Sequence, residues 1–397
     1  MRIAIFCDNF YPELSGISDS IIASARELAK CGHTVRFFVP SYSEKDFKTG
    51  GIGSKREIDL DNGIEITRFF AVSYPTPTKQ GRMVIPTGLR WIAIKKFRPD
   101  VIHSHLFFGV GLEAMLAAKI LKVPFLGTNH TAIVQYVKYA PIRGEWVERF
   151  SLKYVNWYYG KCQLTTSPSK LLLDEMRKNG FKARHETVYN PVDMKTFNLT
   201  VDHNKTELKE KLKLNEHVVV YAGRFAPEKN IDVIVRAIAL VKEKIPGITL
   251  AMAGHGGYFE EINKLVLELG LEKNVKFFGT LSHFELADLY RASDIFSITS
   301  TSEIQSMTLI QAMACGLPTV GVRARGFEYI GESGILVEPG DSKALAEKFV
   351  LLLENTNLRN SLSERSLEFA QKLSDRNIAL LWEKIYKREI NNFKAKI

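Results

Sequence analysis

The chain has 397 residues, of which 45% are hydrophobic, and this is enough for two domains that each bury a core. Its net charge of +10 is uneven: residues 1–193 hold 27 Lys and Arg against 18 Asp and Glu, and the other residues hold 27 against 26. No uncharged apolar run is long enough to cross a bilayer, and the first residues lack the apolar core of a signal peptide. The four cysteines form no CxxC pair, which argues against a disulfide framework or a zinc site and favours the cytoplasm.

The first half alternates strands and helices. Short β-rich runs are predicted as strands at residues 2–7, 34–40, 100–105, 125–130 and 164–169, with helices at 20–32 and 111–122 between them. This alternation is typical of a doubly wound parallel sheet. Asn62-Gly63 lies between alternating residues of the segment 57–70 and predicts a hairpin at the sheet margin.

The same pattern restarts after a polar segment. Strands are predicted at residues 217–224, 248–254, 275–280, 295–300 and 318–322, separated by amphipathic helices. We therefore expect two Rossmann-like domains, 1–193 and 194–375, that face each other across a cleft. The helix at about 376–397 is expected to cross back onto the first domain.

Loops that follow parallel strands are the places to look for a ligand site. Gly16 follows the first strand, and the amides of the next helix suit an anion, although a simple turn is the alternative. Arg224 and Lys229 follow a strand of the second half and could hold a diphosphate, because Arg binds oxygens in pairs and Lys acts as a point charge. The alternative is a solvated loop in which Glu228 pairs with Lys229.

A glycine-rich turn follows the next strand. Gly254, Gly256 and Gly257 exclude side-chain bulk there, and their GxGG spacing is not the GxGxxG of a nicotinamide site.

Glu303 stands between a strand and a helix. Its carboxylate can accept hydrogen bonds from two sugar hydroxyls, Ser306 and Met307 offer amides at the helix start, and Gln311 lies about 7 Å further along the helix. A capping role is the alternative. The convergence of Glu303 with Arg224 and Lys229 favours a sugar–pyrophosphate ligand.

Four segments together resemble the retaining, GT-B-fold glycosyltransferases of family 4: GRFAPEKNID, AGHGG, SEIQSMTLIQAMACGLPTV and GILVEPGD. The resemblance implies that Glu303 contacts the donor sugar and that Arg224 and Lys229 bind the diphosphate, with Gly16 packed beneath it. It also implies that the backbone near Thr280 and Leu281 holds the base. Gln311 departs from the family, which usually has Glu there on the nucleotide ribose.

The segment TNHTAIVQYVKYAP resembles diacylglycerol and phosphatidylinositol glycosyltransferases of that family. The resemblance implies that His130 lines the reaction centre and that Tyr136 lies towards the acceptor. It also implies retention of configuration, for which we expect front-face substitution, with the departing phosphate taking the acceptor proton.

Neither a metal nor a resident cofactor is expected, and the nucleotide sugar is a co-substrate. The chain's DxD, Asp59-Leu60-Asp61, adjoins the Asn62-Gly63 turn and is interpreted as turn chemistry. Arg224, Lys229 and a helix N-terminus can stabilise the departing diphosphate without metal.

The acceptor is inferred from the basic half. Aromatic and basic residues alternate in residues 88–99 and 149–161, including Trp91, Lys95, Lys96 and Trp157. Such helices suit an anionic membrane surface, and packing on the sheet is the alternative for each. We expect an enzyme peripherally associated with the inner face of the cell membrane that transfers a hexose from a UDP-glucose-type donor to diacylglycerol or a related lipid.

Two other functions stay open. One is the same chemistry on a soluble or polysaccharide acceptor. The other is a sugar- or polyanion-binding protein without turnover. No nucleic-acid-binding motif is present in the sequence, and the sequence does not predict an oligomeric state.

Overall fold

The computed structural model describes residues 1–13, 15–49, 58, 60–74, 81–133, 144–199, 204–327 and 330–396. Its contacts divide the chain into two units, which are Met1–Pro191 with Asp375–Ile397, and Val192–Ser374. Among the described residues, no helix is long and apolar enough to cross a membrane.

The first unit is built on a parallel sheet. Its strands are β1 Arg2–Phe6, β2 Thr34–Pro40, β3 Ile64–Phe69, β4 Val72–Ser73, β5 Arg82–Met83, β6 Val101–Ser104, β7 Phe125–Thr128, β8 Leu164–Ser167 and β9 His185–Thr187. Seven of them form one sheet in the order β3-β2-β1-β6-β7-β8-β9, and β4 and β5 form a separate antiparallel pair. Its described helices before residue 191 are α1 Gly16–Lys30, α2 Glu44–Thr49, α3 Trp91–Phe97, α4 Gly109–Leu121, α5 Glu145–Tyr159 and α6 Lys170–Lys178.

The second unit repeats the plan. Its six strands are β10 His217–Ala222, β11 Ile248–Ala253, β12 Val275–Gly279, β13 Ile295–Ile298, β14 Thr319–Val322 and β15 Gly334–Val337. They form one parallel sheet in the order β12-β11-β10-β13-β14-β15. The helices are α7 Lys205–Lys211, α8 Ile231–Lys244, α9 Phe259–Glu268, α10 His283–Arg291, α11 Met307–Ala314, α12 Ser342–Glu354 and α13 Thr356–Lys372.

The last helix, α14 Asp375–Lys394, belongs to the first unit, where it packs on α1. Its Glu383 lies 3.1 Å from His33 Nε2, and its Glu389 accepts a 2.9 Å hydrogen bond from Arg184. The predicted return of this helix is therefore present in the fold.

The predicted α/β architecture is confirmed, since every predicted strand coincides with an observed one to within two residues at each end. Strand cores such as Ile3–Phe6 and Val218–Tyr221 are buried on both faces because helices cover both sides of each sheet.

Two local predictions are wrong. The hairpin predicted over 57–70 is instead a single edge strand, β3, which pairs in parallel with β2, and the described residues 58, 60 and 61 are not in a strand. Helix α1 begins at Gly16, earlier than the sequence suggests, because Ser15 caps it by accepting a hydrogen bond from Ile17 N.

Candidate active site

The topology of the second unit indicates the edge of the sheet at which a ligand site is expected. Its chain starts at β10, builds outward to β12 on one side, and then returns to build β13, β14 and β15 on the other. Loops after β10 and β13 therefore diverge at a switch point, where open parallel sheets bind ligands. The first loop carries Arg224 and Lys229, and the second carries Glu303.

Arg224 is exposed at the mouth of the first loop. Its guanidinium lies 2.5 Å from Glu228 Oε1, and its carbonyl accepts a 3.0 Å hydrogen bond from the buried Tyr221 hydroxyl. The alternative in which Glu228 pairs with Lys229 is therefore wrong. Glu228 and Lys229 lie in a 3₁₀ turn, Pro227–Lys229, which directs the two side chains to different partners.

Lys229 crosses the switch point to reach Glu303. Its ammonium nitrogen lies 2.5 Å from Glu303 Oε1, and both side chains are largely shielded from solvent. The backbones behind them are joined, because Thr299 Oγ1 donates to the carbonyl oxygens of Lys229 and Asn230 at 3.0 and 2.8 Å. Asn230 returns a 3.1 Å hydrogen bond to the Thr299 carbonyl. A cation and an acid are thus held together where the topology predicts a ligand.

Glycines let the surrounding loops approach each other. A Cβ on Gly254, whose φ is 127°, would lie 1.9 Å from the Gly223 carbonyl oxygen. A Cβ on Gly326 would lie 2.6 Å from the Glu303 carbonyl oxygen. Gly254 therefore serves the packing of two loops, and Gly326 fixes the backbone of Glu303 in a way that the sequence did not indicate.

Helix α11 starts beside Glu303. Ser306 is its N-cap and accepts a 3.3 Å hydrogen bond from Leu309 N, and Met307 is its first residue. Gln311 is 4% exposed, so its amide is enclosed by the unit. Leu281, predicted near the base, is half-buried in the loop after β12.

The first unit has its own switch point between β1 and β6. His103 on β6, His105 just after it and His130 after β7 form a cluster there. His105 Nδ1 lies 3.0 Å from His130 Nε2. His103 contacts the Tyr386 hydroxyl at 2.8 Å and Thr128 Oγ1 at 2.7 Å.

These histidines are neutral. Burial lowers the pKa of His103 and of His130 to about 3, and it lowers the pKa of His105 well below its ordinary value. At neutral pH the rings therefore offer one donor and one acceptor nitrogen each, and no positive charge. Of the three histidines, His130 is the one predicted from the sequence to line the reaction centre. The H-x-H spacing at the end of a predicted strand was the available signal for the other two.

Of the residues predicted to face the acceptor or the membrane, the described ones lie on α3 and α5 of the first unit. On α3, Trp91 is half-buried, and Lys95 and Lys96 are exposed. On α5, Trp157 is exposed. Tyr136 lies outside the described residues, as does Asp59 of the DxD. Within the described ranges, no group of three or more His, Cys, Asp or Glu residues could hold a metal ion.

Two family profiles match the chain: "Glycosyltransferase Family 4" over residues 14–196 and "Glycosyl transferases group 1" over residues 203–369. The alpha-monoglucosyldiacylglycerol synthase of Streptococcus pneumoniae is 27% identical over 83% of this chain and 72% of its own length. The enzyme of that name in Acholeplasma laidlawii is 23% identical over 92% of both chains. The structure of HepE from Anabaena in complex with UDP matches with a TM-score of 0.76 at 19% identity, covering 98% of this chain and 100% of its own.

The two profiles together cover every strand of the two main sheets except β1, and they include the loops that carry His105, His130, Arg224, Lys229 and Glu303. The fold, with two parallel-sheet units and a last helix that returns to the first, agrees with them. The chain therefore belongs to the GT-B-fold glycosyltransferases, with a family 4 domain followed by a group 1 domain.

Proposed function

We propose that this glycosyltransferase moves a hexose from a UDP-sugar to diacylglycerol or a related lipid, with retention of configuration, at an anionic membrane surface. The observation that carries the donor half of this proposal is the Lys229–Glu303 pair at the switch point of the second unit. The names of the two similar synthases and the UDP complex of the structural neighbour support the lipid acceptor and the UDP donor.

The donor is proposed to bind by exchanging partners. The diphosphate would take the place of carboxylates as the partner of Arg224 and Lys229, since both side chains form charge-assisted hydrogen bonds to phosphate as they do to carboxylate. Glu303, once released from Lys229, can accept hydrogen bonds from hydroxyls of the hexose. Without donor, these side chains therefore form ion pairs within the unit. When donor is bound, Arg224 and Lys229 contact its diphosphate and Glu303 contacts its hexose.

The transfer step is proposed as a front-face substitution. The bond between the anomeric carbon and the diphosphate oxygen breaks, the acceptor oxygen bonds to that carbon, and the acceptor proton passes to the departing phosphate. Arg224 and Lys229 stabilise the negative charge that develops on the leaving group. His130, being neutral, contributes a hydrogen bond to the reacting sugar and no charge.

The acceptor half of the proposal is supported by α5. Trp146 and Phe150 are each 66% exposed and Trp157 is 45% exposed, and their spacing places all three on one stripe of the helix with Lys153. Val155, Tyr158 and Tyr159 occupy the buried face. The helix thus packs on its sheet and also presents aromatic and basic side chains outward, as an interfacial helix does.

The test is a donor panel offered to the full chain with and without liposomes. UDP-glucose, UDP-galactose and GDP-mannose are each supplied with diacylglycerol in vesicles that contain or lack an anionic phospholipid. We expect a UDP-hexose to give an α-linked glycolipid, identified by mass and by the coupling constant of the anomeric proton, at a higher rate on anionic vesicles. Full activity on a soluble sugar acceptor without lipid would favour the soluble-acceptor function instead.

A further inference from the structure

His105 is placed to control His130. Its ring lies between the other two imidazoles of the cluster, with centroid separations of 4.1 Å to His103 and 5.3 Å to His130. His105 Nδ1 is 3.0 Å from His130 Nε2. His103 directs its two ring nitrogens to Tyr386 and Thr128, and so it does not share this bond.

A nitrogen–nitrogen hydrogen bond between neutral rings fixes a tautomer. Each neutral imidazole carries one proton, so one ring of the pair must donate and the other must accept. If His105 donates from Nδ1, His130 Nε2 accepts and the proton of His130 sits on Nδ1. If the direction is reversed, His130 Nδ1 is a lone pair. The nitrogen of His130 that faces away from His105 is therefore a donor or an acceptor according to the state of His105.

We propose that His105 is a positioning residue, which donates its Nδ1–H to His130 Nε2 and thereby holds His130 as the Nδ1–H tautomer. This inference rests on the proposed role of His130 in transfer. The departing diphosphate gains negative charge as the reaction proceeds, and the hydroxyl oxygens of the reacting sugar can accept hydrogen bonds, so an N–H is the useful group to present to them. A fixed ring also removes the entropy of choosing the orientation and tautomer during the reaction.

The test is a double-mutant cycle on the full chain. His105→Phe keeps the aromatic packing and removes the hydrogen bond. It is expected to lower kcat roughly 10–100-fold, as loss of an orienting group does, with the dissociation constant of UDP-hexose unchanged. In the background of His130→Ala, the same change is expected to cost less than about twofold, because a residue that acts through His130 has nothing left to act on.

Two controls separate positioning from stability. His105→Asn retains an amide donor close to the position of Nδ1 and is expected to recover much of the lost kcat. His33 is a buried histidine of the same unit that contacts Glu383, so His33→Asn is expected to have the same small effect with and without His130.

Nitrogen-15 NMR of the histidine rings supplies a readout apart from activity. His130 is expected as the Nδ1–H tautomer in the native protein and as a mixture in His105→Phe. Equal losses of kcat from His105→Phe in both backgrounds, or a native His130 protonated on Nε2, would overturn the positioning role of His105. Either result would leave the proposed role of His130 in place. Full transfer activity in His130→Ala would instead remove His130 from the proposed reaction, and His105 with it.

Discussion

The two units place opposite kinds of chemistry at equivalent points of similar sheets. At the switch point of the second unit, Lys229 and Glu303 are ionic partners, and Arg224 and Glu228 form a second pair beside them. At the switch point of the first unit, three imidazoles are kept uncharged by burial. A shared architecture therefore fixes where a site lies, and the residues at the strand ends decide whether it handles charge or neutral hydrogen bonds.

The largest effect on transfer is expected from removing Glu303, the acid at the switch point of the second unit. Glu303→Ala leaves Lys229 without its partner and the donor sugar without an acceptor for its hydroxyls, so transfer is expected to fall by about 1000-fold or more. Circular dichroism is expected to stay native, because the pair is not in a core. Glu338→Ala is the matched control, since Glu338 forms an exposed pair with Arg323 in the same unit.

The result is informative in either direction. If Glu303→Ala turned over donor at the native rate, the switch-point pair would be a structural ion pair and the site assignment in the second unit would be lost. An equal loss in Glu338→Ala would point to a general effect of charge on the unit.

The next largest effect is expected from the exposed aromatic stripe of α5 in the first unit. Replacing Trp146, Phe150 and Trp157 by Ser removes exposed aromatic area without touching the buried face of α5. Binding to anionic vesicles is expected to weaken by about 100-fold or more, at about 1 kcal/mol or more for each of the three rings. Co-sedimentation measures it, and turnover of donor with a short-chain, dispersed acceptor should be unaffected.

Matched changes on the second unit supply the control. Phe284 and Leu267 are exposed apolar residues there, and Ser at both positions should leave vesicle binding intact. Equal binding by the α5 variant and the native chain would show that this stripe is not the membrane face.

Acid should unfold the first unit through its neutral histidines. A histidine whose folded pKa lies below its unfolded value of 6.5 binds a proton only on unfolding, so its contribution to stability is complete above about pH 6.5 and is lost as pH falls. His103 and His130 each cost about 2 kcal/mol by pH 5, and burial also lowers the pKa of His105, which adds to this loss. Asp8 and Glu13 act in the opposite sense, because burial raises their pKa values to about 6 and about 7 and they take up protons in the folded state.

As the pH falls from 8, the stability lost through the histidines is at first nearly equal to the stability gained through the two carboxyls. At lower pH the loss is the larger of the two. The free energy of unfolding is expected to fall between pH 8 and 5, and to fall further by pH 4, where the carboxyl gain levels off. All four tryptophans belong to the first unit, so tryptophan fluorescence during urea unfolding reports on that unit. His105→Phe should reduce the loss at pH 5, because it removes one of the three imidazoles that take up a proton on unfolding. A native chain that became more stable at pH 5 would show that the carboxyls dominate and that the cluster accepts protons in the folded state.

The sequence predicted the sheets well and the individual contacts poorly. Strand cores such as Val218–Tyr221 are continuous apolar runs, and such runs must be buried whatever surrounds them. The ionic partners of Glu228 and Lys229 could not be predicted from the sequence pattern in this way. Adjacent residues of a 3₁₀ turn point in different directions, and Lys229 finds its acid 74 positions along the chain. The pairing of His105 with His130 could not be predicted for a similar reason, since it joins the ends of two strands that neighbour each other in the sheet and are separated along the chain by α4.

Gln311 gives the smallest expected effect and the sharpest test of how charged the second site is. The resemblance to family 4 implies a position on the nucleotide ribose that usually holds a glutamate, so Gln311→Glu is expected to add a charge-assisted bond to a ribose hydroxyl worth roughly 1–2 kcal/mol, or about tenfold in the dissociation constant of UDP. The position is 4% exposed, however, so without nucleotide the new carboxylate would be enclosed and would lower the stability of the unit. Calorimetric titration with UDP and thermal melts with and without it measure both effects. Tighter UDP binding together with a lower melting temperature in its absence is the expected pair of results, because the nucleotide hydroxyls satisfy the acid that the unit itself does not. A variant that melts as the native chain does and binds UDP no more tightly would place Gln311 outside the nucleotide site.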